Sequence, residues 1–225
     1  MTNKPIVSAA EAAAMVKEGM VVQSGGFMGC GAAETVIAEL AKLGTKGLTL
    51  VTTDTAVYDA KTGKGNGCVP LIVNGQCSRI IASHIGANAE TQRQMNSGQT
   101  KVDLVPQGTL AERIRSAGAG LGGFLTPTGL GTEVEEGKQK ILVGHRVFLL
   151  EEPLPGDIAL IKAKKADKAG NLQYSKVARN FNPLMASACA VVVAEVEEIV
   201  EIGELDPDQV HTPSIFVNFL VQARG

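Results

Sequence analysis

Tryptophan is absent, and with two Tyr and six Phe the aromatic share is only 4%. Proteins that bind single strands stack bases on aromatic platforms, so nucleic acid is not an expected partner. Charge of one sign is lacking too: 21 basic residues meet 23 acidic ones, for a net charge of −2. The basic residues are scattered, which excludes a polyanion-binding stripe. Four cysteines (Cys30, Cys68, Cys77, Cys189) show no C-x-x-C spacing, and His84, His145 and His211 lie far apart. Neither a disulfide framework nor a metal site is expected. The longest apolar run, Ala186 to Ala194, contains Ser187 and stops at Glu195, well short of the ~20 residues that span a bilayer. The opening Met-Thr-Asn-Lys-Pro lacks the apolar stretch of a signal peptide. The expected setting is cytoplasmic, without a membrane.

What the chain does have is glycine, 26 of it, and a 44% apolar share. No linker or repeat interrupts it, so residues 1–225 read as one domain with an ample core. Ser8-Ala9-Ala10-Glu11 is a capping box that opens a helix, with Gly19 as its stop. Met20 to Gln23 reads as a strand, followed by Ser24-Gly25-Gly26-Phe27-Met28-Gly29-Cys30-Gly31 and a helix over Ala32–Leu43. There Val36, Ile37, Leu40 and Leu43 form the apolar face, and Gly44 ends it. The unit recurs: strands at Leu48–Thr52, Ile80–Ala82 and Val102–Val105, a polar helix near Asn88–Asn96, and a second capping box at Thr109–Glu112. Gly144-His145 marks a hairpin between Lys140–Val143 and Arg146–Leu150. Ile158–Lys162 and Ala190–Val193 read as strands buried on both faces, and Asp206-Pro207-Asp208 as the start of a last helix. The fold class expected is α/β: a mostly parallel sheet flanked by helices, with a small antiparallel hairpin element.

The densest local signal is Gly25–Gly31, where glycines allow positive φ and close backbone approach. Free N–H groups at the following helix start would hold an anion there; a crossover that binds nothing is the competing reading. It is not a dinucleotide fingerprint, because Glu34 stands where the third glycine belongs. Gly131–Lys138 has one residue too many for a P-loop, and Gln139 replaces Ser/Thr. Gly118 to Thr132 is a second glycine-rich stretch, suited to a loop beside a ligand or a subunit. Among nucleophiles, Cys30 has no histidine near it in sequence and reads as a packing residue, and Ser24 is not in a G-x-S-x-G elbow. His84 reads as a core or loop histidine. The acidic run Glu195, Glu197, Glu198, Glu201, Glu204 reads as a solvated face. Glu133, Glu135 and Glu136 flank the glycine stretch.

These motifs in this order resemble the alpha subunit of a family I (3-oxoacid) coenzyme A transferase, of the short-chain acetate/acetoacetate/butyrate type. The resemblance runs from about Ala12 to Pro213. It rests on the 24–31 loop, Leu71–Gly75, Ala82–Gly86, Val105–Arg115, Gly118–Thr132, Glu135–Lys138 and Ala178–Pro183. It implies a chain that works with a beta subunit carrying the catalytic glutamate, in an α2β2 heterotetramer. That glutamate forms an acyl anhydride and then a glutamyl-CoA thioester, moving CoA between small carboxylates in a ping-pong cycle. Coenzyme A and acyl-CoA are then substrates, and no permanently bound cofactor is implied. None of this chain's glutamates precedes Asn-Gly, so no catalytic residue is carried onto it. The loop Gly25, Gly26, Phe27, Met28, Gly29, Cys30 and Gly31 is implied to bind CoA. Gln107, Asp54, Gly120, Gly122 and Gly123 are implied to support the active site, the last three near a subunit interface. The chain departs from the family at Ala33, where proline is usual, and at Thr53-Asp54, where some relatives have an Asn pair. Its Tyr58–Val69 segment, with Lys61 and Lys64, looks longer. Sugar-phosphate isomerase and ligand-sensing α/β domain are the competing readings.

Overall fold

The computed structural model describes residues 2–224. Its main sheet has nine strands. In chain order they are β1 (Ile6–Val7), β2 (Val21–Ser24), β3 (Leu48–Thr52), β6 (Cys77–Ala82), β7 (Lys101–Leu104), β11 (Gly156–Asp167), β12 (Leu172–Gln173), β13 (Cys189–Val200) and β14 (Phe219–Gln222). The spatial order is β1-β14-β13-β11-β2-β3-β6-β7, with every neighbouring pair parallel. β12 pairs antiparallel with β11. A separate three-stranded antiparallel sheet contains β8 (Phe124–Thr126), β9 (Lys140–Val143) and β10 (Arg146–Glu151), and β4 (Tyr58–Asp59) and β5 (Lys64–Gly65) form a hairpin.

Helices cover both faces of the main sheet, which is what continuous apolar strands require. On one face lie α1 (Ala9–Ala14), α2 (Glu34–Leu43) and α3 (Val69–Val73), and on the other α5 (Gln107–Gly118) and α6 (Asn182–Ala188). α4 (Ala89–Asn96) packs beside α3. The strand period of two divides the core: Ile158 and Leu160 of β11 join α1 and α2, whereas Ala159 and Ile161 join α5 and α6.

Several expected elements form as read. Ser8 and Glu11 exchange both capping bonds, and Gly44 closes α2 with a left-handed φ of 69°. Others differ. α1 stops at Ala14, and Gly19 instead turns the chain into β2. Leu43 lies at the frayed end of α2 and is 56% exposed. The Thr109–Glu112 capping box does not exist: α5 begins at Gln107 after Pro106, and Thr109 is buried within it. The last helix after Asp206 is only a single turn, Pro207–Gln209, and the chain then enters β14.

From β2 the chain winds outward through β3, β6 and β7, then returns to the other side of β2 as β11 and winds away through β13 and β14. The strand order therefore reverses between β2 and β11. In open α/β sheets ligands bind outside the carboxyl ends of the strands at such a reversal, and the glycine loop leaves β2 at that point.

Candidate active site

Residues 25–31 form a tight loop. Phe27 and Cys30 exchange backbone bonds of 3.0 and 2.9 Å, and between them Met28 and Gly29 have φ of 50° and 83°. Two consecutive positive φ values make this a type I′ turn, a conformation that non-glycine residues adopt only when held there. Asp54 holds it. Its buried carboxylate accepts the Met28 N–H at 2.9 Å and the Ala56 N–H at 2.7 Å. Asn66 donates to the Met28 carbonyl at 3.0 Å.

The other side of the loop is held by two asparagines from the 178–183 motif. Asn180 accepts the Gly26 N–H at 3.1 Å and donates to the Cys30 carbonyl at 3.0 Å. Asn182, fully buried, donates to the Gly31 carbonyl at 3.0 Å and accepts the Lys162 N–H at 3.3 Å. Close approach makes glycine obligatory: a Cβ on Gly25 would stand 1.8 Å from Asn182 Oδ1, and one on Gly31 2.7 Å from the Ala178 carbonyl. Among the described residues only the Gly29 and Gly31 amides of this loop lack an acceptor.

The start of α2 is not free to hold an anion, contrary to expectation. Glu195 of β13, 1% exposed, accepts the Thr35 N–H at 2.8 Å, the Val36 N–H at 3.1 Å and the Thr35 hydroxyl at 3.1 Å. Burial raises its carboxyl above the usual glutamate range, with these bonds and Lys162 opposing. The acidic run is thus not one solvated face. Glu197, Glu198, Glu201 and Glu204 lie outside, the first three paired with Lys164, Lys165 and Lys168.

Two hollows flank the loop. One, of about 400 Å³, is walled by Phe27, Thr53, Gln107, Val177, Asn180, Phe181 and Leu184; none of these is ionisable. Gln107, the first residue of α5, has no side-chain partner among the described residues. The other, of about 260 Å³, lies along Gly29, Cys30, Gly31 and Glu34 against Lys162, Lys164 and Glu197. The structure thus brings Gln107, Asp54 and the glycine loop together.

It does not bring Gly120, Gly122 and Gly123 to them. α5 is 12 residues long, about 18 Å, with Gln107 at the hollow and Gly118 against Ser187 near the far end of α6. The three glycines follow that far end. Gly123, at φ 141°, lies where a Cβ would meet the Glu151 carbonyl at 2.6 Å. Glu135 is bound to Gly131 and Lys140. His84 is exposed after β6. Cys30 is exposed, whereas burial pushes Cys77 up to about 12 and the Cys68 and Cys189 thiols higher. Lys61, on the β4–β5 turn, and Lys64, the first residue of β5, are exposed. Asn66, Asn180, Asn182 and Glu195 had no role assigned by sequence. For Glu195 the available signal is its position directly after the apolar run 186–194 and before Val196, within an inner strand, where a charge needs internal partners.

Among the described residues no helix is long and apolar enough to cross a membrane. A family model described as coenzyme A transferase matches residues 6–223. The chain is 50% identical to the Escherichia coli K12 acetate CoA-transferase subunit alpha over 94% of this chain and 93% of that one. It is 41% identical to the acetoacetyl-CoA:acetate/butyrate CoA transferase alpha subunit of Clostridium acetobutylicum over 98% of each. An acyl-CoA transferase from Escherichia coli O157:H7, solved as a thioester complex with CoA, shares the fold at a TM-score of 0.89 and 22% identity, over 98% of this chain and 47% of that one. With 218 consecutive positions matched by that family model, from residue 6 to residue 223, the chain belongs to the coenzyme A transferase family.

Proposed function

We propose that the chain is the alpha subunit of a cytoplasmic CoA-transferase that moves CoA between short-chain acids such as acetate, acetoacetate and butyrate. One observation carries this reading: the hollow at the strand-order reversal is apolar and open, with no ionisable group on its walls. Its floor suits a short acyl chain, and the carboxylate that the chemistry needs must then enter from a partner. That partner is a beta subunit supplying a glutamate, with α2β2 the expected assembly and residues 1–225 acting as one domain. That the acetate and acetoacetyl-CoA:acetate/butyrate CoA-transferase relatives are alpha subunits supports this.

In this reading the partner's glutamate attacks the thioester carbonyl and expels CoA thiolate, giving an acyl anhydride. The thiolate attacks the glutamyl carbonyl, releases the first acid and leaves a glutamyl-CoA thioester; a second acid reverses both steps. This chain's share is positioning. Gly25–Gly31 lies along CoA, with the Gly29 and Gly31 amides as its free donors, and Asp54 keeps the loop in its strained turn. The Gln107 amide orients a carboxylate at the rim. Gly120, Gly122 and Gly123, at the far end of α5, serve a subunit contact rather than the reacting atoms.

The test is CoA transfer from acetyl-CoA to acetoacetate or butyrate by the chain alone and with its co-expressed partner. Activity is expected only in the pair. Turnover by the lone chain would overturn the split site.

A further inference from the structure

The inference rests on the reading above that the glycine loop lies along CoA. α2 starts three residues beyond Gly31, yet its first turn has no side-chain cap nearby in sequence, because Ala33 stands at the N-cap. A serine or aspartate there would satisfy the helix locally. Instead the acceptor is Glu195, 160 residues away along the chain.

The position of Glu195 in the sheet gives this arrangement its reach. Glu195 of β13 pairs in register with Lys162 of β11. The Lys162 N–H donates to Asn182 Oδ1, and Asn182 Nδ2 donates to the Gly31 carbonyl. Glu195 itself takes the Thr35 and Val36 amides. A single rung of the sheet therefore holds the chain at both ends of the short span Gly31–Thr35. Inside that span Ala32 donates to Gly29 and Glu34 to Ala32, the Ala33 carbonyl accepts the Ile37 N–H, and the Glu34 carboxylate accepts the Gly67 N–H at 3.2 Å. The cleft with the two free amides, Gly29 and Gly31, lies against the same rung, with Lys162 on its wall.

We infer that Glu195 is a positioning residue for CoA transfer, one that fixes the height of Gly29 and Gly31 against acyl-CoA by tying the first turn of α2 to the Lys162 rung. It touches no reacting atom. Its carboxylate sits at the positive end of a helix, where negative charge is favoured. Three hydrogen bonds offset the cost of burying it. Removing it frees the first turn of α2, and with it the end of the loop.

The experiment uses the chain with its co-expressed partner and compares Glu195→Ala, Glu195→Gln and, as a control, Glu198→Gln, whose parent pairs with Lys165 on the surface. Two quantities are read: KM for acetyl-CoA against KM for acetoacetate, and the rate of Cys30 alkylation by iodoacetamide. Glu195→Ala is expected to raise KM for acetyl-CoA roughly tenfold or more, to leave KM for acetoacetate unchanged and to speed Cys30 alkylation. Glu195→Gln restores both, because its oxygen accepts the two amides and its NH2 donates to the Thr35 hydroxyl. Glu198→Gln matches wild type. If Glu195→Ala does not fold, Thr35→Val, which removes one bond to the same carboxylate, gives a smaller shift in the same direction. The inference is overturned if Glu195→Ala, or Thr35→Val in its place, leaves the acetyl-CoA KM and the alkylation rate at wild type. It is equally overturned if both KM values and the unfolding temperature move together without rescue by glutamine. A wild-type pair that transfers no CoA sinks the functional reading instead, and Cys30 alkylation still decides whether Glu195 fixes the loop.

Discussion

A type I′ turn with methionine at its first central position exists only because neighbouring side chains keep it there. Asp54 is the main restraint, with both carboxylate oxygens engaged by backbone N–H groups. Asp54→Ala leaves the Met28 and Ala56 amides without their acceptor and is expected to destabilise the chain by about 3 kcal/mol, read as a lower urea midpoint at unchanged slope. Asp54→Asn keeps one acceptor oxygen and is expected to lose less. Gly25→Ala acts from the opposite side. Its methyl would stand 1.8 Å from Asn182 Oδ1, so Asn182 must turn away from Gly31 and Lys162, at a cost of about 2 kcal/mol. Transfer by the pair is expected to fall further than stability does. The glycines themselves were legible in the sequence, since a run of residues without Cβ announces a crowded or strained backbone. The asparagines that crowd them were not, because the 178–183 motif shows no link to residue 26 until β11 is placed beside β2.

The elements the sequence predicted best are those whose ends carry local chemistry. Ser8 and Glu11 make α1's cap, Gly44 closes α2, and Gly144, at φ 59°, turns β9 into β10. The Thr109–Glu112 box failed because Pro106 starts the helix earlier, which leaves Thr109 inside it. Glu195 reads as solvated because it shares a strand face with the exposed Glu197; what separates the two is the start of α2, which lies over residue 195, a long-range contact the sequence does not show. The segment leading to Asn180 brings in a titratable link. His211 stacks on Tyr174 and its Nδ1 accepts the Tyr174 N–H at 2.9 Å. Burial, with nearby Arg179 second, lowers its pKa below the usual 6.5. The folded state thus binds this proton less readily than the unfolded state. The stability His211 confers is present above 6.5 and is lost as the pH falls through the lowered folded value. The protection factor of the Tyr174 amide, its exchange rate corrected for the intrinsic pH dependence, is expected to fall over that acid window, and to be low at every pH in His211→Ala. Glu195 works in the opposite sense. Its raised value means that its contribution is present at low pH and is lost as the pH rises through the folded value. The stability of Glu195→Gln relative to wild type is therefore expected to grow over the same rise, measured by urea unfolding across pH.

At the scale of the molecule, several large apolar side chains stand exposed around the carboxyl ends of the strands: Phe27 at 44%, Leu104 at 51% and Val177 at 59%. Of these, Phe27 and Val177 wall the same hollow, and exposed apolar side chains gathered in this way belong to surfaces that are covered by a partner. Val177→Asp is expected to weaken co-purification with the beta subunit while leaving the chain's own unfolding free energy within about 0.5 kcal/mol of wild type. The reversal between β2 and β11 also orders events in time. The loop at residues 25–31 is made early in synthesis together with Asp54 and Asn66, which hold its turn, but the restraints on its other side come from Lys162, Asn180, Asn182 and Glu195. A nascent chain that has emerged only as far as β7 has the loop held on one side alone. The other side closes only after β11 has inserted beside β2 and β13 beside β11, and such distant pairings form slowly. Maturation of the site is therefore among the last steps of folding, and a pause in translation before residue 195 leaves a half-built sheet with its glycines still wandering.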